Sequence, residues 1–370
     1  MSDSTAPAVS TPLRFAVVGC GVIGRVHARS ITRVNGAVLT VTVDPVETAA
    51  KELAGEYDAA SVSSLEEALR RDDVDAVAIC TPSGNHAELA VQALAAGMHV
   101  VVEKPLDVSA EAARKLNAAA AASGRTITVV SQHRFDPASV AVWEAARAGR
   151  FGTLTSGVAS VAWWRSQSYY DSGDWRGTWS LDGGGALVNQ AIHTIDLLIW
   201  MMGRPLEVNA YTSCLAHEGI EVEDTAVAIV RFESGALGVI HGTTAAYPGL
   251  TTRVQVHGNR GSAVIDDDRL EYFHAAPSDD DGDGFPYGAG GSSNQAALVL
   301  PEVQSTPATG DDPVSMSEGH EMQYVDFLEA IREGRPPRVT VASATTSLQV
   351  ILAIYRSAEE GRPVAIPAGD

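Results

Sequence analysis

The sequence predicts an α/β chain: an N-terminal doubly wound sheet followed by an α+β half built on a mainly antiparallel open sheet. Three observations predict it. From residue 13 to about 131, short β-branched runs alternate with Ala-rich helical stretches. A glycine-rich turn joins the first strand to the first helix. Beyond residue 204, strand-like runs follow one another with turns, not helices, between them.

Taken in order, the strands of the first third are expected at 13–18, 38–43, 76–80, 98–102 and 126–130. Helices are expected between and after them at 23–34, 46–54, 64–71, 85–96 and 109–123, each short enough for a βαβ crossover. Residues 1–12 are Ser/Thr/Ala/Pro-rich and read as a disordered tail, with neither the cationic start nor the apolar run of a signal peptide. Residues 132–370 form the second domain, with helices near 137–148 and 186–202. Strands follow at 205–215, 224–232, 235–244, 251–257 and 261–266. An open sheet face needs a cover, so this half is expected to pair with another copy as a homodimer or homotetramer. Residues 275–317 are rich in Asp, Gly, Ser and Pro and read as a long loop, after which 318–333 and 343–360 return to helix.

Composition excludes several function classes. The 370 residues carry a formal net charge of −20, which leaves no basic surface for nucleic acid or anionic lipid. No segment is apolar for long enough to span a bilayer. The 3 cysteines, Cys20, Cys80 and Cys214, are odd in number and far apart, which argues against a disulfide framework or zinc ribbon and for a cytoplasmic location.

Gly19-Cys20-Gly21-Val22-Ile23-Gly24 directly follows the strand Phe15-Ala16-Val17-Val18 and opens a helix. In that context Gly19 makes a tight turn, Gly21 lets backbone approach a pyrophosphate, and Gly24 allows helix and strand to pack closely. Asp44 ends the next strand, where a carboxylate can accept from both hydroxyls of an adenosine ribose. Asp44 would repel a 2′-phosphate, and Pro45 stands where an Arg would be needed to hold one, so the pattern favours NAD over NADP. The first domain is thus a dinucleotide-binding Rossmann domain. Thr81-Pro82 with Asn85-His86 follows the third predicted strand, and Glu103-Lys104-Pro105 follows the fourth, both at the edge where a cofactor would lie.

Later, Gly183-Gly184-Gly185 leads into Asn189-Gln190-Ala191-Ile192-His193-Thr194-Ile195-Asp196, and the chain ends near Gly361-Arg362-Pro363-Val364. With the fingerprint and Glu-Lys-Pro, these segments resemble the glucose-fructose oxidoreductase, inositol dehydrogenase and MocA family from about Leu13 to Pro367. The resemblance implies hydride transfer between NAD(P) and a carbinol carbon of a sugar, sugar acid, cyclitol or nucleotide sugar. It implies that Lys104 lies beside the nicotinamide and hydrogen-bonds the reacting hydroxyl, and that His193 is the general acid/base. Independently, a Lys at a strand end held by a following Pro faces the cofactor crevice, where its charge would stabilise a developing alkoxide. Part of the family resembles glycosidases that oxidise the sugar transiently with tightly held NAD. A non-catalytic NAD-binding regulator on the same fold would need neither Lys104 nor His193.

Many relatives place an Asp four residues before the His; here Asn189 stands there. On an α-helix, 189 and 193 lie one above the other and 196 lies near the same stripe, so His193 has a neutral and an acidic candidate partner. The Asn variant is similar to that of some nucleotide-sugar dehydrogenases of the family.

Between Trp163 and Trp179, Trp164 and Trp175 are interleaved with Arg165, Tyr169, Tyr170 and Arg176. Aromatic faces pack on the C–H faces of a sugar ring while Arg and Tyr read its hydroxyls, so the stretch reads either as a substrate loop or as an aromatic packing patch. Arg165 and Arg176 can take an anionic substituent such as a uronate or phosphate. His133, just after the fifth predicted strand, either lines the pocket or serves packing. Asp279-Asp280-Asp281-Gly282-Asp283-Gly284 begins like a calcium loop but has Gly290 at the twelfth position instead of Glu, so it reads as a solvated acidic loop and no metal site is expected.

Overall fold

The computed structural model describes residues 11–277, 294–301 and 317–367. Most of the N-terminal tail, and the acidic loop with its calcium-like run, lie outside the described residues. The described chain forms two sheets. The first contains β1 (Leu13–Val18), β2 (Ala37–Val43), β3 (Ala60–Val62), β4 (Ala76–Ile79), β5 (His99–Val102) and β6 (Ile127–Val129). They pair in parallel in the order β3-β2-β1-β4-β5-β6, so the order reverses between β1 and β4 and opens a crevice at their carboxyl ends. Helices α1 (Val22–Arg33), α2 (Glu47–Tyr57), α3 (Leu65–Leu69), α4 (His86–Ala95) and α5 (Ala110–Ser123) are the crossovers. The strands read as unbroken apolar runs because both faces are covered: Ala76, Val77, Ala78 and Ile79 are all fully buried.

The second sheet follows α6 (Pro137–Arg147) and has the order β13-β12-β11-β7-β10-β9-β8-β14. Its strands are β7 (Leu154–Ala162), β8 (Pro205–Ser213), β9 (Thr225–Phe232), β10 (Leu237–Thr243), β11 (Thr252–Gly258), β12 (Gly261–Asp266), β13 (Arg269–Ala275) and β14 (Val364–Ala365). All pairings are antiparallel except β7 with β10. A short helix α7 (Gln167–Tyr170) and the long α8 (Ile192–Met202) precede β8. One sheet face carries α8, with Ile195 and Leu198 fully buried against it. The opposite face exposes Tyr211, Val227, Ile229, Leu237 and Val239.

Several elements depart from the sequence pattern. The central strand β7 has the composition LTSGVASVA, poor in the large β-branched and aromatic residues that mark strands, and was not expected. The strand β13 was also not expected. Within the predicted loop of 275–317, α9 (Ala296–Val299) forms and packs Ala296 into the second core. The predicted helix of 186–202 begins as a π-helical turn, Leu187–Ala191, before α8. The last helices, α10 (Ser317–Glu333) and α11 (Val341–Glu360), run back across the molecule. Tyr324, Phe327 and Leu328 of α10 complete the core under β1, whereas α11 contributes Leu348 to the first core and Ile351 and Ile354 to the second. No helix among the described residues is long and apolar enough to cross a membrane.

Candidate active site

The fingerprint sits at the switch point. Gly19 has φ +95° and lies so close to β4 that a Cβ there would stand 2.6 Å from the Cys80 carbonyl oxygen, and one on Gly24 would stand 2.0 Å from the Gly19 oxygen. At Gly21 a Cβ would meet nothing within 4 Å. The turn is therefore closed against the protein and open toward the crevice, at the start of α1, where free backbone N–H groups favour an anion. Asp44 is fixed from two sides, accepting from the Cys20 N–H at 2.8 Å and the Val46 N–H at 2.8 Å, which ties the end of β2 to the glycine turn. A carboxylate has lone pairs left for two ribose hydroxyls. Across the crevice, the Thr81 hydroxyl is buried and has no hydrogen-bond partner among the described residues. These residues fit a dinucleotide.

Not every residue expected at the cofactor turns its side chain toward the crevice. The Cys20 thiol points inward toward the Val43 carbonyl, and burial pushes it up to about 11, so this residue offers backbone only. Val22 is exposed and Ile23 half-buried at the start of α1. Pro82 and the exposed Asn85 bracket a 3-10 turn whose Gly84 packs on the Ser180 carbonyl. His86 is buried and spends both ring nitrogens on backbone carbonyls, Thr81 at 2.8 Å and Pro105 at 2.7 Å; it braces the ends of β4 and β5 instead of lining the crevice. The Glu103 carboxylate is likewise turned inward. It meets His27 Nε2 at 2.8 Å and His320 at 3.5 Å, and accepts from the Lys104 N–H at 2.9 Å. His27 in turn meets the Tyr324 hydroxyl at 2.6 Å. These groups hold Glu103 well below the usual carboxylate range despite its burial.

Lys104 follows β5 and donates from Nζ to the Asn189 carbonyl at 3.0 Å, which brings the two recognisable segments together. Burial lowers its ammonium from the ordinary value, opposed by Glu103 and Asp182. The π-helical turn carrying Asn189 is positioned by Glu223, whose carboxylate accepts from the Gly185 and Leu187 N–H groups at 3.0 and 2.9 Å. A Cβ on Gly185 would sit 1.7 Å from the Glu223 carbonyl oxygen, so the triple-glycine segment is what permits this approach. On the other side, a Cβ on Gly242 of β10 would press on Leu187 at 2.9 Å.

The wider π turn breaks the four-residue register expected between Asn189 and His193. Asn189 instead donates to Asp182 at 2.6 Å, a buried acid that no local pattern marks and whose carboxyl burial pushes up. Asp196 is also unavailable to His193. It forms a bidentate ion pair with Arg134 at 2.6 and 2.6 Å and accepts from Ser347 at 2.7 Å and from Ser131. Neither candidate partner is hydrogen-bonded to His193. The imidazole of His193 is half-buried and held well below its ordinary value, first by burial and then by the charges of Lys104 and His133. His133 lies beside it, with ring centroids 5.2 Å apart.

The aromatic segment splits. Tyr170 turns into the core, with its hydroxyl 2.8 Å from Thr244 and pushed up to about 12 by burial, so it is a packing residue. Tyr169 takes its place toward the crevice: its hydroxyl accepts from Arg176 at 2.9 Å, and Gln190 lies at 3.3 Å. Arg176 stacks over Tyr169 and Trp175, and Arg165 over Trp163 and Tyr169. Trp164 packs against Tyr247 and His217, and His217 holds the Arg165 carbonyl at 2.8 Å.

Residues 13–131 match the oxidoreductase family with an NAD-binding Rossmann fold, and residues 140–264 match the GFO/IDH/MocA C-terminal domain. The chain belongs to the GFO/IDH/MocA family. It is an NAD-dependent oxidoreductase acting on CH–OH groups. Among solved relatives, the WlbA dehydrogenase from Bordetella pertussis, in complex with NADH and UDP-GlcNAcA, is 32% identical with a TM-score of 0.84, over 98% of this chain and 99% of that one. The scyllo-inositol 2-dehydrogenase (NAD(+)) of Bacillus subtilis is 27% identical over 96% of both chains. Inositol 2-dehydrogenase of Rhizobium meliloti is 29% identical over 72% of this chain and 79% of its own.

Proposed function

We propose that this GFO/IDH/MocA oxidoreductase acts on an anionic carbohydrate, a sugar acid or a nucleotide sugar, with Lys104 and His193 as its catalytic residues. The observation that carries the anionic substrate is the state of Arg165 and Arg176. Their hydrogen bonds go to the Trp164 carbonyl, Gln190, Ser172 and the Tyr169 hydroxyl, and among the described residues neither guanidinium meets a carboxylate. Arg176 lies within electrostatic reach of Asp182, but that carboxyl is engaged by Asn189 and the Gly177 N–H. In a chain of net charge −20, two half-buried guanidiniums that form no ion pair among the described residues suit an anion brought by the substrate. UDP-GlcNAcA, bound by the WlbA relative, combines a carboxylate with a diphosphate.

The chemistry of the site divides simply. NAD, when bound, takes or gives the hydride. The protein side handles the proton: neutral His193 accepts it from the substrate hydroxyl during oxidation, and the Lys104 ammonium stabilises the oxygen as it gains negative charge. Asp182, through Asn189, fixes the backbone carbonyl that holds Lys104. NADH formation with NAD at alkaline pH across a panel of uronates, nucleotide-sugar uronates, neutral sugars and inositols tests the reading. Turnover of the acids with none of the neutral compounds is expected; preference for a neutral sugar or inositol sinks it.

At the cofactor, Asp44→Ala should weaken NAD binding and narrow the preference over NADP, since it loses both the ribose acceptors and the tether to Cys20. Equal use of NADP by the wild type would contradict this. The exposed apolar residues of β8, β9 and β10 suit pairing of this sheet face with a second copy. Three free thiols suit work in the reducing cytoplasm.

A further inference from the structure

A second ionisable cluster borders the site. His133 Nδ1 lies 2.7 Å from Asp136 Oδ2 and 3.1 Å from Asp268 Oδ1. Asp136 occupies the N-cap position of α6, where an Asp normally accepts from the helix backbone, yet its side chain makes no capping bond. Asp268 stands in the turn joining β12 to β13, with Asp267 and Asp268 both left-handed at φ 44° and 62°. Asp267 pins that turn to β11 by accepting from the Thr252 N–H at 2.8 Å, and Asp268 then reaches across to His133. Burial pushes the Asp136 carboxyl up, while His133 holds Asp268 below its ordinary value against burial; together the two acids favour the imidazolium and hold His133 well above its ordinary value despite its own burial.

We infer that His133, clamped between Asp136 and Asp268, is a positioning residue for the reaction: its positive charge adds to burial and to Lys104 in keeping His193 neutral and ready to accept the hydroxyl proton. The inference rests on His193 being the base. The two rings meet edge to face at 5.2 Å. The other groups facing His193 are Lys104, of the same sign, and more weakly Glu103 and His320. Asp136 and Asp268 face His133 from α6 and the β12–β13 turn, and neither is among the main influences on His193. The hairpin thereby becomes part of the active site although it touches no reacting atom.

The test is an NMR titration of His193 in NAD-saturated protein carrying isotope-labelled histidine, with the signal assigned by its loss in His193→Gln. It needs no substrate, so it stands apart from the catalytic reading, which Lys104 and His193 variants test by turnover. His133→Gln should raise the His193 midpoint by roughly one pH unit, the size expected for loss of a unit charge at this range in a partly solvated site. Asp268→Asn, which the left-handed turn tolerates, leaves His133 protonated at the low pH where His193 titrates and should not raise the midpoint. His133→Lys keeps the charge and should leave His193 low. A His193 midpoint that stays at its wild-type position in His133→Gln, or that rises as far in His133→Lys as in His133→Gln, would overturn the inference and leave the cluster as packing.

Discussion

Lys104→Ala should lower kcat by roughly two orders of magnitude or more, the scale of removing a preorganised electrostatic partner of a developing alkoxide. Binding of NADH, followed by its fluorescence, should persist, because the dinucleotide is held by the glycine turn and Asp44 rather than by this side chain. The variant has a second signature. The Lys104 charge is one of the influences that keep His193 deprotonated, so its removal makes the protonated form of His193 easier to reach. Oxidation requires the neutral form, and the acid limb of kcat/KM should therefore move to higher pH in the residual activity. Loss of NADH binding in step with activity would make Lys104 a cofactor ligand instead, and undiminished turnover would move the chemistry elsewhere.

The parts of the site legible in the sequence are those fixed by their own local backbone. Gly24 is required by a contact within one strand–turn–helix unit, Gly19 by its own positive φ as well as by the end of the neighbouring β4, and Asp44 sits at the end of the adjacent strand, so pattern and cause largely coincide. Lys104 was legible for the same reason, being tied to the end of β5. What was not legible comes from contacts across long stretches of chain. Asp182 is marked by nothing nearby, and Asp268 reaches His133 only because β12 and β13 form a hairpin of which β13 was unseen. The pairing of Asn189 with His193 fails because one residue of extra width in the helical turn changes which neighbours align, and that width is set by Glu223 and β10. Tyr169 and Tyr170 are chemically equivalent in a run of sequence, and only the packing of Tyr170 on Thr244 and His217 decides which one remains at the crevice.

Asp196→Ala should destabilise the protein more than it alters the chemistry of any molecule that still folds. The motif His-x-x-Asp invites a functional reading of the acid, but the side chains of Asp196 and Arg134 are only 5% and 4% exposed and satisfy each other in bidentate geometry. Arg134 also lies over the Trp200 ring, which stacks on Trp143, so the pair joins the turn after β6 to α8 and α6. Truncating the acid leaves a buried guanidinium without its counter-charge and the hydroxyls of Ser131 and Ser347 without their acceptor. Breaking a buried pair in this way costs on the order of 3–5 kcal/mol, to be read by urea denaturation. The pair should also show in the pH dependence. Arg134, Ser131 and Ser347 hold the Asp196 carboxyl below its ordinary value of 3.8 against the effect of burial. Its contribution is therefore present above that value and is lost as pH falls through the lower, folded-state one. The Ala variant should lack this acid-side loss, so the stability gap between it and the wild type should narrow only in strong acid. Replacing both partners with apolar side chains should recover much of the loss, because it removes the stranded charge. If Asp196→Ala unfolds at the wild-type urea concentration yet shifts the acid limb of turnover, Asp196 acts on His193 after all, and the buried pair is not what the residue is for.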